Sequence, residues 1–228
     1  MKAPHSQLIG TFVLAALAAT GCGSATVQSE PAQPPGPRSD EAIEALFWAR
    51  MDSAQMRFTD ADVHFVTGMI GHHSQALIMA ALAPTHGASA SIRTLAARIT
   101  NAQKDEIALM EQWLRDREQP VPAVRIEGTE LILHGAEHAM HMPGMLTPAQ
   151  IRELDAARGV EFDRLFLTFM VQHHNGAVEM VHDLFATDGA AQDEAVFKLA
   201  SDIQVDQITE IDRMKLMLES MPSKDGTR

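Results

Sequence analysis

From residue 39 onward apolar positions recur at spacings of three and four, and Val and Ile do not alternate with polar residues, which is the period of helices rather than strands. Ser39, with Asp40 and Glu41 behind it, offers a cap for a first short helix that gathers Ile43, Leu46, Phe47 and Met51 on one side. Thr59, followed by Asp60 and Asp62, opens a second helix, which Pro84 and Gly87 stop. A third is predicted from about Ser91 to Arg117, ahead of Pro120 and Pro122. Thr147-Pro148-Ala149-Gln150 reads as a capping box with proline in the first turn, so another helix begins there, breaks near Gly159 and resumes to about Ala186. The last spans about Gln192 to Met221 and ends at Pro222.

These helices are two copies of one pattern. A shift of 101 residues superposes Asp62 on Asp163, Phe65 on Phe166, Met69 on Met170, His72 and His73 on His173 and His174, Ala76 on Ala177 and Met79 on Met180. A shift of 104 then aligns Leu95, Ile99, Gln103, Glu106 and Met110 with Leu199, Ile203, Gln207, Glu210 and Met214. Each half is a helical hairpin that cannot bury its apolar face alone. Two such hairpins packed together make an all-α four-helix bundle with approximate internal two-fold symmetry, preceded by the short N-terminal helix. The expected domain covers residues 39–221, with repeat one at 60–117, a connecting loop at 118–146 and repeat two at 147–221.

Within each copy a doubled histidine sits in an apolar run. Neighbouring residues on a helix point about 100° apart, so the two rings of a pair do not share a target. Asp62, Phe65, Met69, His72, Ala76 and Met79 form one stripe facing the bundle centre, as do Asp163, Phe166, Met170, His173, Ala177 and Met180; His73 and His174 fall on the flank. One account makes these histidines neutral core residues, hydrogen-bonded to Asp62, Asp163, Gln103, Glu106, Gln207 or Glu210. The other makes them ligands. Met69 and Met170 precede the inward histidines by three residues, and imidazole with thioether on one helix face is a soft donor set suited to Cu(I). Met79 and Met180 read as core, and His64, His86 and His182 as surface or cap residues.

The connecting loop carries a second cluster in "LHGAEHAMHMPGM". If residues 131–142 are helical, His134, His138 and His141 fall near one face, and Pro143-Gly144 turns the chain to bring Met145 back beside Met142. That is ligand spacing with an adaptable end; the alternative is a solvated loop.

Composition adds a compartment. Lys2, the apolar stretch Leu8–Leu17 and the small residues ending at Cys22 have the form of an export signal over residues 1–21, too short to span a membrane as a helix. "ATGC" resembles a bacterial lipobox, with Ala19 at the place usually held by leucine, which makes Cys22 a candidate for lipidation. Residues 22–38 are rich in Pro, Ser and Gln and read as a tether. Cys22 is the sole cysteine, so no intrachain disulfide is possible. The net charge of -12 speaks against nucleic acid as a partner and for attraction of cations.

The repeated "F…M…HH…A…M" core, the "LA…I…Q…EI…M" helix after each copy and "MPGMLTPAQ" at Met142–Gln150 together resemble the bacterial secreted family called domain of unknown function 305. The resemblance covers about residues 40–220. It implies a ferritin-like four-helix bundle, exported, in a family with some copper-associated members. Three functions are then open: an envelope lipoprotein that sequesters or passes on Cu(I) or Ag(I), a ferritin-like redox metalloenzyme, and a metal-free scaffold. A di-iron or di-manganese site wants Glu-x-x-His on two helices, and only Glu179–His182 has that form, since repeat one has Ile78–Ala81 there.

Overall fold

A computed structural model describes residues 39–55, 57–134 and 142–222. The proposed signal and tether, Cys22, and Glu137, His138, Met140 and His141 of the connecting loop lie outside these residues. The elements run α1 (Asp40–Gln55), α2 (Asp60–Leu82), α3 (Ala90–Asp116), β1 (Ala123–Glu127), β2 (Glu130–His134), α4 (Pro148–Ala156), α5 (Gly159–Ala186) and α6 (Glu194–Glu219). None of the described helices is long and apolar enough to cross a membrane.

The helix starts follow from local chemistry. Thr59 and Asp62 satisfy each other reciprocally, the Asp62 carboxylate accepting the Thr59 amide at 2.7 Å and the Thr59 hydroxyl accepting the Asp62 amide at 3.3 Å. Thr147 and Gln150 repeat the arrangement at the start of α4, with Pro148 in its first turn. Asp193 caps α6 through the Val196 amide, and the same carboxylate receives the Trp113 indole at 3.1 Å and the Arg117 guanidinium, which ties the end of α3 to the start of α6. Burial works to raise the Asp193 carboxyl, but these donors hold it below the usual carboxylate range.

One sequence-based expectation is corrected. Residues 131–134 belong to a strand, not a helix: β1 and β2 pair antiparallel, with Val124 opposite Leu133 and Ile126 opposite Leu131. The alternating Val124, Ile126, Leu131 and Leu133 carry the period of two, and Gly128, at φ 61°, takes the first place of the two-residue turn, where a positive φ is needed.

α2 packs on α3, α5 packs on α6, and the two hairpins join through α2 against α5. One end of the core holds Met79, Ile92, Leu95, Ile99, Leu154, Phe162, Phe166 and Met170; the other holds Phe65, Met69, Ile70, Met110, Trp113, Val181, Val196 and Ile203. The beginning of α2 thus shares a layer with the end of α5, as an antiparallel pair requires. Two buried aspartates lock the hairpins reciprocally. Asp62 of α2 accepts the Ala191 amide from the loop before α6 at 2.7 Å, and Asp163 of α5 accepts the Ser89 amide from the turn before α3 at 3.1 and 3.2 Å. Asp62→Ala leaves buried amides without an acceptor and should lower stability by about 2 kcal/mol, read as a fall of about 6 °C in the thermal midpoint by circular dichroism.

Candidate metal centre

Between the two apolar layers lies a belt of imidazoles. His72 and His173 are fully buried and face each other across the α2–α5 contact, with ring centroids 3.8 Å apart and planes inclined by 39°. The helical stripe puts both inward and the antiparallel packing brings them together. His73 and His174 turn sideways, as their flank positions require, and are equally buried because α3 and α6 close over them. His73 Nε2 donates to Glu106 at 2.8 Å, and His174 Nε2 donates to Glu210 at 2.8 Å. His72 Nε2 lies 3.0 Å from the Pro143 carbonyl, which only accepts, so that nitrogen carries the proton.

These bonds fix the tautomers. In His72 and His174 the proton is held on Nε2, which leaves each Nδ1 buried with its lone pair and no hydrogen-bond partner, and the Nδ1 of His73 is likewise buried without a partner. His173 has no partner on either ring nitrogen. Of the buried side-chain nitrogens and oxygens without a partner among the described residues, all but Arg117 Nε belong to these four histidines and to Gln103 and Gln207, one turn before Glu106 and Glu210. Burial, followed by the neighbouring His73, pushes the His72 imidazole down to about 3. Burial and then His72 hold His173 well below the usual imidazole range. Burial also lowers His174, although the Glu210 carboxylate opposes it. His72, His173 and His174 are therefore neutral at pH 7. Met69 and Met170, one turn before the inward histidines, are also fully buried.

A strap, residues 142–146, crosses the belt on the α2–α5 side. It is held by Gln75, whose amide donates to the Leu146 carbonyl at 3.0 Å and accepts the Leu146 amide at 2.7 Å, and by Gln172, which donates to the Gly144 carbonyl at 3.3 Å. Gly176 admits it, since a Cβ there would sit 2.0 Å from the Pro143 oxygen. On the far side, a cleft of about 150 Å³ between α3 and α6 is lined by Arg98, Ala102, Glu106, Asp206, Gln207 and Glu210. The Asp206 carboxyl is raised by burial first and then by Glu106 and Glu210, so three carboxylates crowd this opening. Asp206 and the Pro143 carbonyl escaped the sequence reading because repeat one has Ala102 at the position matching Asp206, and a backbone carbonyl has no residue signature.

The remaining candidates are spread out. Asp62 and Asp163 serve the interhairpin locks and make no hydrogen bond to the histidines. His134 is exposed at the end of β2, while Met142 and Met145 are half-buried in the strap. His86, expected at the surface or at a helix cap, is buried in the turn after α2 and bonds the Asp155 carbonyl at 2.9 Å and its carboxylate at 3.0 Å, pinning the α2–α3 turn to the end of α4. Glu179 and His182 are both exposed.

A family model described as a domain of unknown function, DUF305, matches residues 62–218. The chain belongs to the DUF305 family. A DUF305 fragment from Deinococcus radiodurans has a solved structure similar to this one, at 32% identity over 72% of this chain and 99% of its own, with a TM-score of 0.59. A DUF305 protein from Streptomyces coelicolor, described as secreted, is 26% identical over 74% of this chain and 96% of its own, with a TM-score of 0.58. CopM has been solved in Cu(I)-bound, Cu(II)-bound and Ag-bound forms; the Cu(I) form is 28% identical over 69% of this chain and 95% of its own, with a TM-score of 0.52. No curated protein matches.

Proposed function

We propose that this DUF305 protein is exported, anchored to the cell envelope through Cys22, and binds Cu(I) or Ag(I) as cargo, which it sequesters or passes on. The observation that carries this reading is the facing pair His72 and His173, in which His72 Nδ1 and both ring nitrogens of His173 are buried between the two apolar layers without a hydrogen-bond partner. Buried polar atoms without partners are costly, and a cation that takes their lone pairs removes the cost. A neutral imidazole is also the form that binds metal, so little proton competition stands in the way at pH 7.

The choice of ion follows from the donors. Among the described residues no three His, Cys, Asp or Glu side chains meet in a ligand set, so an ion here relies on two imidazoles and the buried thioethers of Met69 and Met170. Few, soft donors suit Cu(I) and Ag(I), which accept low coordination numbers, and suit Fe(II) or Mn(II) poorly. Glu106 and Glu210 then act as positioning residues that hold the rings of His73 and His174. The redox-enzyme alternative loses support because Glu179 and His182 both face solvent. CopM, with its Cu(I)- and Ag-bound forms, lends support from a related chain.

Titration with Cu(I) against a chromophoric Cu(I) chelator tests the reading. In His72→Ala/His173→Ala the tightly held equivalent should weaken by more than the roughly 10–100-fold that losing an outer-shell partner costs. Full retention in the double variant rejects the buried centre, and a wild-type protein that takes up no Cu(I) rejects the copper reading altogether.

A further inference from the structure

We infer that the bundle carries a second soft-cation site, at the strap, built from the thioethers of Met142 and Met180 with the imidazole of His64 at its rim. This rests on the Cu(I)/Ag(I) reading for the class of ion, and on none of the residues of the histidine belt. The place is a pocket of about 200 Å³ lined by His64, Gly68, Met142, Pro143, Met180 and Asp183.

Gly68 shows how closely the two methionines approach. A Cβ at that position would lie 3.3 Å from the Met142 sulfur and 3.4 Å from the Met180 methyl, so both thioethers converge on one point over α2. The same Met142 side chain reaches on to Gly71, where a Cβ would lie 3.3 Å from its methyl. Two glycines within one helix give up about 1 kcal/mol each relative to alanine; here Gly68 makes room for Met142 and Met180, and Gly71 for Met142 and for Leu133 of β2, which a Cβ would meet at 2.8 Å. The matching positions in α5 are Phe169 and Gln172, so this room exists only where the strap lies.

Packing alone does not call for these residue types. Met69, Met79, Met110, Met170 and Met214 are fully buried and fill the core, whereas Met142 and Met180 are half-buried and border open space. Leucine would fill such a rim with better-defined rotamers; what methionine adds is a soft sulfur donor at the surface. Asp183 and exposed His64 stand at the mouth, one supplying negative charge for an arriving cation and the other a nitrogen donor. Pro143 joins this pocket to the buried pair: it lines the pocket and its carbonyl holds the His72 ring at 3.0 Å. An ion taken up between the thioethers sits one residue from the strap contact that orients His72.

The test uses Ag(I) as a redox-inert probe on the full chain, labelled with ¹³C in the methionine methyl groups, in chloride-free buffer. Met142→Leu/Met180→Leu keeps the apolar volume and should leave the apo melting temperature unchanged. It should bind one Ag(I) fewer than wild type, and the methyl signals that it removes should be ones that shift when Ag(I) is added to wild type. His72→Ala/His173→Ala should keep those shifts. Equal Ag(I) counts in wild type and Met142→Leu/Met180→Leu, or Met142 and Met180 methyl signals that do not move, overturn the site. Should the histidine variant bind as many Ag(I) as wild type while the methionine variant loses one, the buried centre falls and the strap site stands.

Discussion

Gly176→Ala should destabilise this bundle by about 3–4 kcal/mol, the reverse of what helix propensity alone dictates. An alanine in the middle of a helix normally gains about 1 kcal/mol over glycine. Here the added carbon would stand 2.0 Å from the Pro143 oxygen, 2.3 Å from its carbonyl carbon and 2.6 Å from the Gly144 Cα, all of them backbone atoms that no rotamer change can withdraw. The strap must lift from α5. Lifting it removes the acceptor of His72 Nε2 and the Gln172–Gly144 bond, and strains the paired bonds between Gln75 and Leu146. Thermal unfolding should show a midpoint lower by about 10 °C, and the His72 ring should lose its fixed tautomer, visible in ¹⁵N shifts of the imidazole. A variant that melts at or above the wild-type temperature would show that the strap is not seated on α5.

Acid should weaken the apo-protein through the same ring. His72 titrates near its ordinary 6.5 when unfolded and at about 3 when folded, so between those values the unfolded chain binds a proton that the native state refuses. The native state is at full strength above pH 6.5 and loses about 1.4 kcal/mol per pH unit below it, or about 3 kcal/mol by pH 4, from His72 alone. The depressed pKa values of His173 and His174 add losses of the same sign. Urea unfolding of metal-free protein at pH 7.5 and 4.5 measures the effect, with His72→Leu expected to show a shallower pH slope. An equal slope in the two proteins would mean that His72 is solvated and protonated in the native state. Bound cation should flatten the fall, since it occupies the lone pairs that protons seek.

Much of this architecture was legible from spacing. The stripe running through Phe65, Met69, His72, Ala76 and Met79 fixed which histidine looks inward, and all five residues are buried. The offsets of 101 and 104 residues paired α2 with α5 and α3 with α6, and the capping pattern at Thr147 located α4. The hairpin of residues 123–134 was overlooked because its alternation is short and because the histidines after it invited a helical count. The stacking of His72 on His173 could not be read, since a helical stripe defines a face but not the height at which two faces meet. His86 misled for a related reason: its partner Asp155 is 69 residues away, in α4, outside the helices that the two offsets match.

A tandem duplication supplies two matching helices but only one linker to lie between them, so a linker that docks on that pair must tell identical partners apart. The strap does this by an exchange of residues. Where α2 has Gly71, α5 has Gln172; where α2 has Gln75, α5 has Gly176. At each matched position one copy makes room and the other holds on, with the roles reversed one turn later. The two halves have therefore become lock and key for a shared peptide, and neither half, repeated faithfully, could seat it. Divergence at these four positions is what gives a two-fold object a single orientation, and with it a lidded side and an acidic side to the same row of imidazoles.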